Sequence, residues 1–276
     1  MFELPEYITI ARQMNQSLAG KTVLQGNLGN TPGKFLWYNR SHEEFTQLTS
    51  GKTIGAATVR GRWLFVPLDP GYVLVLGECG GKILYHEPGS AFPKKYHLHI
   101  SFEDDSFLTT MTQMWGAMEL YEAGRELERE YIKNMRPTPT DPEFTYDYFD
   151  QLVGEVRQER NYSAKALLTQ DQLIPGLGNA IAQDILFQAK LHPKHDIGDL
   201  ESHQRRVFYD AIQQTVNDVV EAGGRYDEVD LYGKPGRYAR IMDKNALGNP
   251  CPRCGGKVTK IQYLGGSCYL CESCQV

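Results

Sequence analysis

The chain has 276 residues, 41% of them hydrophobic and 23% charged, with a formal net charge of −5. That length buries a core large enough for two domains and a small appendage, and it excludes a peptide, a disordered tail or a fibre. No run approaches the roughly 18 consecutive apolar residues of a membrane helix, and the opening MFELPEYITIARQ lacks the basic-then-apolar order of a signal peptide. A soluble, cytoplasmic protein with no membrane partner is expected, and the negative balance argues against nucleic acid unless local charge overrides it.

Residues 6–18 place Tyr7, Ile8, Ile10, Ala11 and Met14 at helical spacing behind Pro5, a residue suited to a first turn. Up to about residue 130, apolar runs of strand length follow, among them 58–60, 63–66, 72–76 and 97–100. Turn residues such as Asp69-Pro70-Gly71, Gly80-Gly81 and Pro88-Gly89 separate them, which predicts an antiparallel β domain. From Glu119 to Met135 the charges take a helical period, and the prolines of 136–142 read as a linker. Helices are expected over 145–156, 164–169, 178–189 and 203–222, the last stopped by Gly223-Gly224. The expected domains are 1–135, 143–235 and 236–276.

Cys251 and Cys254, then Cys271 and Cys274, form two C-x2-C pairs with sixteen residues between them. Each pair can give a tetrahedral Zn²⁺ two thiolates from a tight turn, and residues 257–269 suit a β-hairpin that joins the pairs. Four thiolates leave no coordination position open, so one structural zinc is expected, with Cys268 outside the ligand set. Residues 231–276 carry seven Lys and Arg against two acids, so a basic hairpin ends an acidic chain, which points toward phosphate; a solvated basic face is the plainer explanation.

Between two expected helices stands the turn Pro175-Gly176-Leu177-Gly178-Asn179. Asn179 falls at a helix start, where backbone N–H groups and the dipole can hold an anion, and Lys165 one helix earlier could reach the same phosphate. An ordinary helix cap would look the same.

Taken together, Glu3-Leu4-Pro5-Glu6, the 175–179 turn followed by Ile185-Leu186-Phe187 and His192-Pro193, Gly233-Lys234-Pro235-Gly236 and the terminal cysteine pairs resemble the formamidopyrimidine-DNA glycosylase and endonuclease VIII family over nearly the whole chain. The resemblance implies an α+β multidomain protein: an N-terminal β-sandwich with a leading helix, a helix-two-turn-helix domain and a C-terminal zinc-finger β-hairpin. It also implies a double-stranded DNA partner, damaged or abasic, held between the halves, and no nucleotide cofactor. In the family a terminal proline nitrogen attacks the sugar C1′ to form a Schiff base, a glutamate assists proton transfers, and the strand is cut by elimination. A terminal amine suits this because its reference pKa lies below that of lysine. Glu3 matches the glutamate, for which the alternative role is charge at a helix N-terminus, and Glu6 is a further carboxylate beside it.

Several positions depart from the family. Phe2 stands where proline is usual, and a bulky second residue predicts that Met1 is retained, so the amine would be that of Met1. Arg62 occupies the place of a hairpin lysine and keeps charge without a transferable proton. Glu78 falls in the stretch that carries an apolar wedge. Trp115 or Met114 could fill the void left by an extruded base, although Trp63 and Trp115 are equally suited to plain packing. Gly266 replaces a hairpin-tip arginine. The residues expected to hold DNA are Arg62, Lys165, Asn179 and Arg237. Two functions remain open on these residues: a DNA glycosylase with AP lyase activity, or a catalytically impaired protein of the same fold that binds damaged or abasic DNA. A third is a zinc-stabilised protein whose cleft serves a protein or RNA partner, the negative net charge favouring a protein.

Overall fold

The computed structural model describes residues 1–159 and 162–276, which fall into two compact units. Residues 1–134 and 222–238 form the first; residues 135–221 and 239–276 form the second.

The first unit opens with α1 (Leu4–Ser17), and Pro5 stands in its first turn as expected. The strands are β1 (Val23–Leu28), β2 (Phe35–Trp37), β3 (Thr53–Ile54), β4 (Thr58–Arg60), β5 (Trp63–Asp69), β6 (Tyr72–Gly77), β7 (Gly81–His86), β8 (Leu98–Phe102), β9 (Phe107–Thr112) and β10 (Trp115–Glu122), with α2 (His42–Thr49) between β2 and β3. They build one sheet in the order β1-β8-β9-β7 and another in the order β2-β10-β6-β5-β3, with β4 beside β5. Alternate residues of both sheets enter a single core: Leu64, Val66 and Leu68 from β5, Leu74 and Leu76 from β6, Ile100 and Phe102 from β8, and Leu108 from β9. Tyr7, Ile10 and Met14 of α1 close it. This is a β-sandwich with a leading helix, built on a period of two in the strands and of 3.6 in the helix.

Three expectations need correction. The helical period read from Glu119 is a strand as far as Glu122, because Met118 and Leu120 alternate into the core while β10 pairs with β6; helix returns as a single 3-10 turn over Glu126–Glu128 and the short α3 (Glu130–Lys133). The β domain is also not wholly antiparallel, since β2 lies parallel to β10. Residues 222–238, which the expected bounds divide between 143–235 and 236–276, pack with the first unit, where Leu231 is fully buried in the sandwich core.

The second unit contains α4 (Tyr146–Glu159), α5 (Ala164–Thr169), α6 (Asn179–Gln188) and α7 (Ser202–Glu221), followed by the hairpin β11 (Thr259–Tyr263) and β12 (Gly266–Leu270). Leu264 and Gly265 both have positive φ, 51° and 73°, as a two-residue hairpin turn of this hand requires. No helix among the described residues is long and apolar enough to cross a membrane.

Candidate functional site

The start of α1 gathers buried charge. Glu6 turns back to accept a hydrogen bond from the Glu3 backbone N–H at 2.8 Å, serving one of the amides a helix start leaves without an intrahelical partner. Glu3 and Glu6 are 4% and 3% exposed, and the cation that compensates them is Arg225, itself 2% exposed. Arg225 Nε lies 2.9 Å from Glu6 Oε1 and Nη2 lies 3.0 Å from Oε2, while its backbone N–H donates to Oε1 at 3.0 Å. Glu3 Oε1 stands 3.7 Å from Nη1. Burial alone would lower the Arg225 pKa; Glu6, Glu3 and Glu228 outweigh it and raise the value above that of a free guanidinium. The group is therefore a permanent cation in a dry site.

Phe2 explains where the chain begins its path. It is fully buried, meets the Tyr7 ring edge-on with centroids 5.7 Å apart, and donates its N–H to the Cys79 carbonyl at 3.1 Å. Met1 is consequently held outside the core. Its carbonyl accepts from Arg225 Nη2 at 2.8 Å, its amine lies 2.6 Å from Glu228 Oε1, and its sulfur lies 3.5 Å from Arg62 Nη1. The structure thus brings Met1, Glu3 and Glu6 together around a residue that sequence reasoning passed over. Arg225 is separated from Glu6 by 219 positions, and no motif links them.

Arg62 has an internal partner: its Nη2 pairs with Glu78 Oε1 at 3.1 Å. Burial raises the Glu78 pKa, and the nearby Arg62 and Arg129 only partly offset it. Glu78 follows the end of β6 in left-handed backbone, φ 51°, so the stretch matched to an apolar wedge is here a turn with an ion pair. Trp63 is core: a Cβ at Gly77 would lie 1.9 Å from its ring, so glycine is required to seat it. Trp115 is clamped in a stack between Phe35 and Trp37, at 4.4 and 5.4 Å, whereas Met114 next to it is 58% exposed. Arg237 is exposed, with its backbone N–H bonded to the Ala222 carbonyl at 3.0 Å in the first unit.

In the second unit, Lys165 and Asn179 both meet the hairpin. Lys165 is 2% exposed and its Nζ donates to the Tyr263 carbonyl at 2.6 Å. Asn179 is the first residue of α6, and its Nδ2 donates to the Ser267 carbonyl at 3.3 Å. A Cβ at Gly266 would come 3.0 Å from Asn179 Oδ1, so the glycine that replaces an arginine at the tip also admits this close approach. Gln183, one turn further along α6, accepts from the Tyr269 N–H at 2.7 Å and fixes the hairpin to the helix.

The four cysteines converge as their spacing predicts. All four sulfurs lie within 4.8 Å of one another, with Cys251 to Cys274 at 3.8 Å and Cys254 to Cys271 at 3.5 Å. Tetrahedral ligands about 2.3 Å from a metal stand at such separations, so the cluster can hold one metal ion. Although burial opposes it, N–H groups of Arg253 and Cys254 pull the Cys251 thiol down to about 7, while burial chiefly holds Cys271, and hydrogen bonds with the neighbouring cysteines chiefly hold Cys274, above the usual thiol value. Cys268 is fully buried in β12 and lies outside the cluster.

The N-terminal domain of formamidopyrimidine-DNA glycosylase matches residues 1–114, and the H2TH domain of the same glycosylase matches residues 135–229. The chain belongs to the formamidopyrimidine-DNA glycosylase family. A family member from Bacillus licheniformis is 29% identical over 279 residues, covering 100% of this chain and 99% of that protein. One from Lactobacillus delbrueckii subsp. bulgaricus is 27% identical over 283 residues, with the same coverage. Among solved structures, Lactococcus lactis Fpg in complex with abasic-site DNA superposes with a TM-score of 0.85 at 23% identity over 99% of both chains. MutM bound to DNA containing carbocyclic 8-oxo-G gives the same score and identity. These likenesses establish the family fold: β-sandwich, H2TH domain and a four-cysteine hairpin.

Proposed function

We propose that this protein is a cytoplasmic DNA glycosylase with AP lyase activity, acting on duplex DNA that carries a damaged base or an abasic site through the amine of Met1. The observation that carries the reading is the fixed position of that amine: Phe2 is locked in the core, Arg225 grips the Met1 carbonyl, and Glu3 and Glu6 stand in the same charged cluster. A held amine can attack C1′ with little further loss of freedom, the condition for a near-attack geometry. Glu3 is the candidate for proton transfers to the sugar, and Glu6 positions Arg225. Lys165, Asn179, Arg62 and Arg237 are assigned to the DNA backbone, and a single structural Zn²⁺ to Cys251, Cys254, Cys271 and Cys274. The zinc would hold the hairpin that meets Lys165 and Asn179, with no part in the reaction.

Borohydride trapping on abasic duplex tests the reading. Wild-type protein should give a covalent adduct that peptide mass analysis places on Met1, and Glu3→Gln should slow strand cleavage by roughly 10²–10⁴-fold. An adduct on a lysine side chain, or none at all, would overturn it. Arg237→Ala, at an exposed cation, should flatten the salt dependence of abasic-duplex affinity by about one contact. The second reading, a damaged-DNA binder without chemistry, draws on the Arg62–Glu78 pair and on Gly266. Steep salt-dependent binding with no trapped adduct would select it.

A further inference from the structure

We infer that Glu228 is the proton acceptor and donor for the Met1 amine, making it a catalytic residue of the Schiff-base step. Three observations converge on it. Its Oε1 is 2.6 Å from the amine nitrogen, the shortest contact that nitrogen makes among those recorded for the described residues. Its backbone is fixed at both groups: the N–H donates to the Arg225 carbonyl at 3.1 Å, and the carbonyl accepts from the Gly236 N–H at 3.1 Å. Arg225 Nη2 stands 3.6 Å from the same Oε1, but its closer contacts go to Glu6 and the Met1 carbonyl, so the amine is the nearer of the two cations on that oxygen. The Glu228 side chain is 14% exposed and that of Met1 36%, so the pair lies at the rim of the buried cluster, where a sugar aldehyde can reach the nitrogen. The other charged groups that face Met1 are Arg62 and its partner Glu78, and neither touches the nitrogen in the recorded contacts.

The step balances on these atoms. The ammonium gives a proton to the Glu228 carboxylate, and the freed lone pair forms the N–C1′ bond with the open-chain aldehyde of an abasic sugar. The nitrogen of the resulting adduct passes one of its protons to the carbonyl oxygen, which becomes the hydroxyl of a carbinolamine. Glu228 returns its proton to that hydroxyl, the C1′–O bond breaks, water leaves, and a protonated imine remains. One ammonium and one aldehyde give one iminium and one water, with no oxidant, reductant or metal. A carboxylate 2.6 Å from the nitrogen is within the reach that general acid–base catalysis requires.

This inference rests on the enzymatic reading above, and the experiment separates the two. Wild type, Glu228→Gln and Glu228→Asp, each shown by mass to retain Met1, are reacted with abasic duplex and, in parallel, with glycolaldehyde without DNA. Both reactions are reduced with cyanoborohydride, and the Met1 adduct is followed against lysine adducts as internal standard. Glu228→Gln should lower the rate of Met1 adduct formation by about 10²-fold or more on DNA and by about 10-fold on glycolaldehyde, with affinity for abasic duplex within about threefold of wild type. Glu228→Asp, which keeps an acid, should retain more of the rate than Glu228→Gln. Equal adduct rates in wild type and Glu228→Gln, or equal losses in the two variants, would overturn the role of Glu228 while leaving the glycosylase reading intact. If wild type forms no adduct on DNA yet Glu228→Gln still slows the glycolaldehyde reaction, the proton role stands and the glycosylase reading fails. Absence of Met1 from the mature protein overturns the inference outright.

Discussion

Replacing Arg225 with Ala removes the cation from a site that is closed to water. Two hydrogen bonds to Glu6 at 2.9 and 3.0 Å and one to the Met1 carbonyl at 2.8 Å disappear, and Glu3 and Glu6 stay buried at 4% and 3% exposure. Breaking a buried pair by deleting one partner costs about 3–5 kcal/mol, most of it the uncompensated charge left behind. For a unit of roughly 150 residues at about 2–4 °C per kcal/mol, the melting temperature should fall by roughly 6–20 °C. All three tryptophans, Trp37, Trp63 and Trp115, lie in the first unit, so their fluorescence during urea unfolding reports on that unit alone. In a cycle with the single variant Glu6→Gln, the double variant Glu6→Gln/Arg225→Ala should lose at least about 1 kcal/mol less than the sum of the two single losses, because it removes one of the stranded charges. A loss below about 1 kcal/mol for Arg225→Ala, or strictly additive single and double variants, would refute the reasoning.

Three further predictions follow from buried groups. Cys254→Ser should lose the metal and loosen the terminal hairpin, whereas Cys268→Ser should keep it; metal analysis of natively purified protein reads both. Phe2→Ala should cost about 3–5 kcal/mol for a fully buried ring. Phe2→Pro should lose the bond to the Cys79 carbonyl as well, so urea melts should rank it no more stable than Phe2→Ala. His97 is 3% exposed and its Nδ1 accepts from the Thr112 N–H at 3.0 Å, and burial lowers its pKa. The folded protein therefore holds it neutral while the unfolded chain takes up a proton below about pH 6.5. Stability from this group is present above that pH and falls as pH drops toward the lowered folded value. His97→Gln should flatten the decline in denaturant melts between those limits, in part only, since burial shifts His86 and His99 the same way.

What could be read from sequence was whatever depends on near neighbours. The cysteine pairs, the apolar runs of β5 and β6, the proline at the head of α1 and the turn before α6 all lie within a few residues of their partners, so their chemistry shows in their spacing. The strand over Glu119–Glu122 was masked because its charges fall at helical intervals, and only the pairing of β10 with β6 reveals that Met118 and Leu120 face a core. Lys165 looked like a free cation; its burial against the Tyr263 carbonyl depends on a hairpin 98 positions away. Glu3 and Glu6 were legible as carboxylates at a helix start, but their compensation by Arg225 and the hold of Glu228 on the amine are matters of tertiary approach, for which the chain carries no local signature.

The return of residues 222–238 to the first unit bears on how this protein is made. The β-sandwich takes Leu231 into its core and Arg225 into its charged cluster, yet both residues emerge from the ribosome after four helices of the other unit. Until then Glu3 and Glu6 have no arginine between them and the sandwich core has a gap where Leu231 belongs. A fragment ending near residue 134 would carry every strand of the sandwich and still lack what closes it. Any dissection of the molecule has therefore to cut by contact and not by chain order, keeping 222–238 with the half that came first.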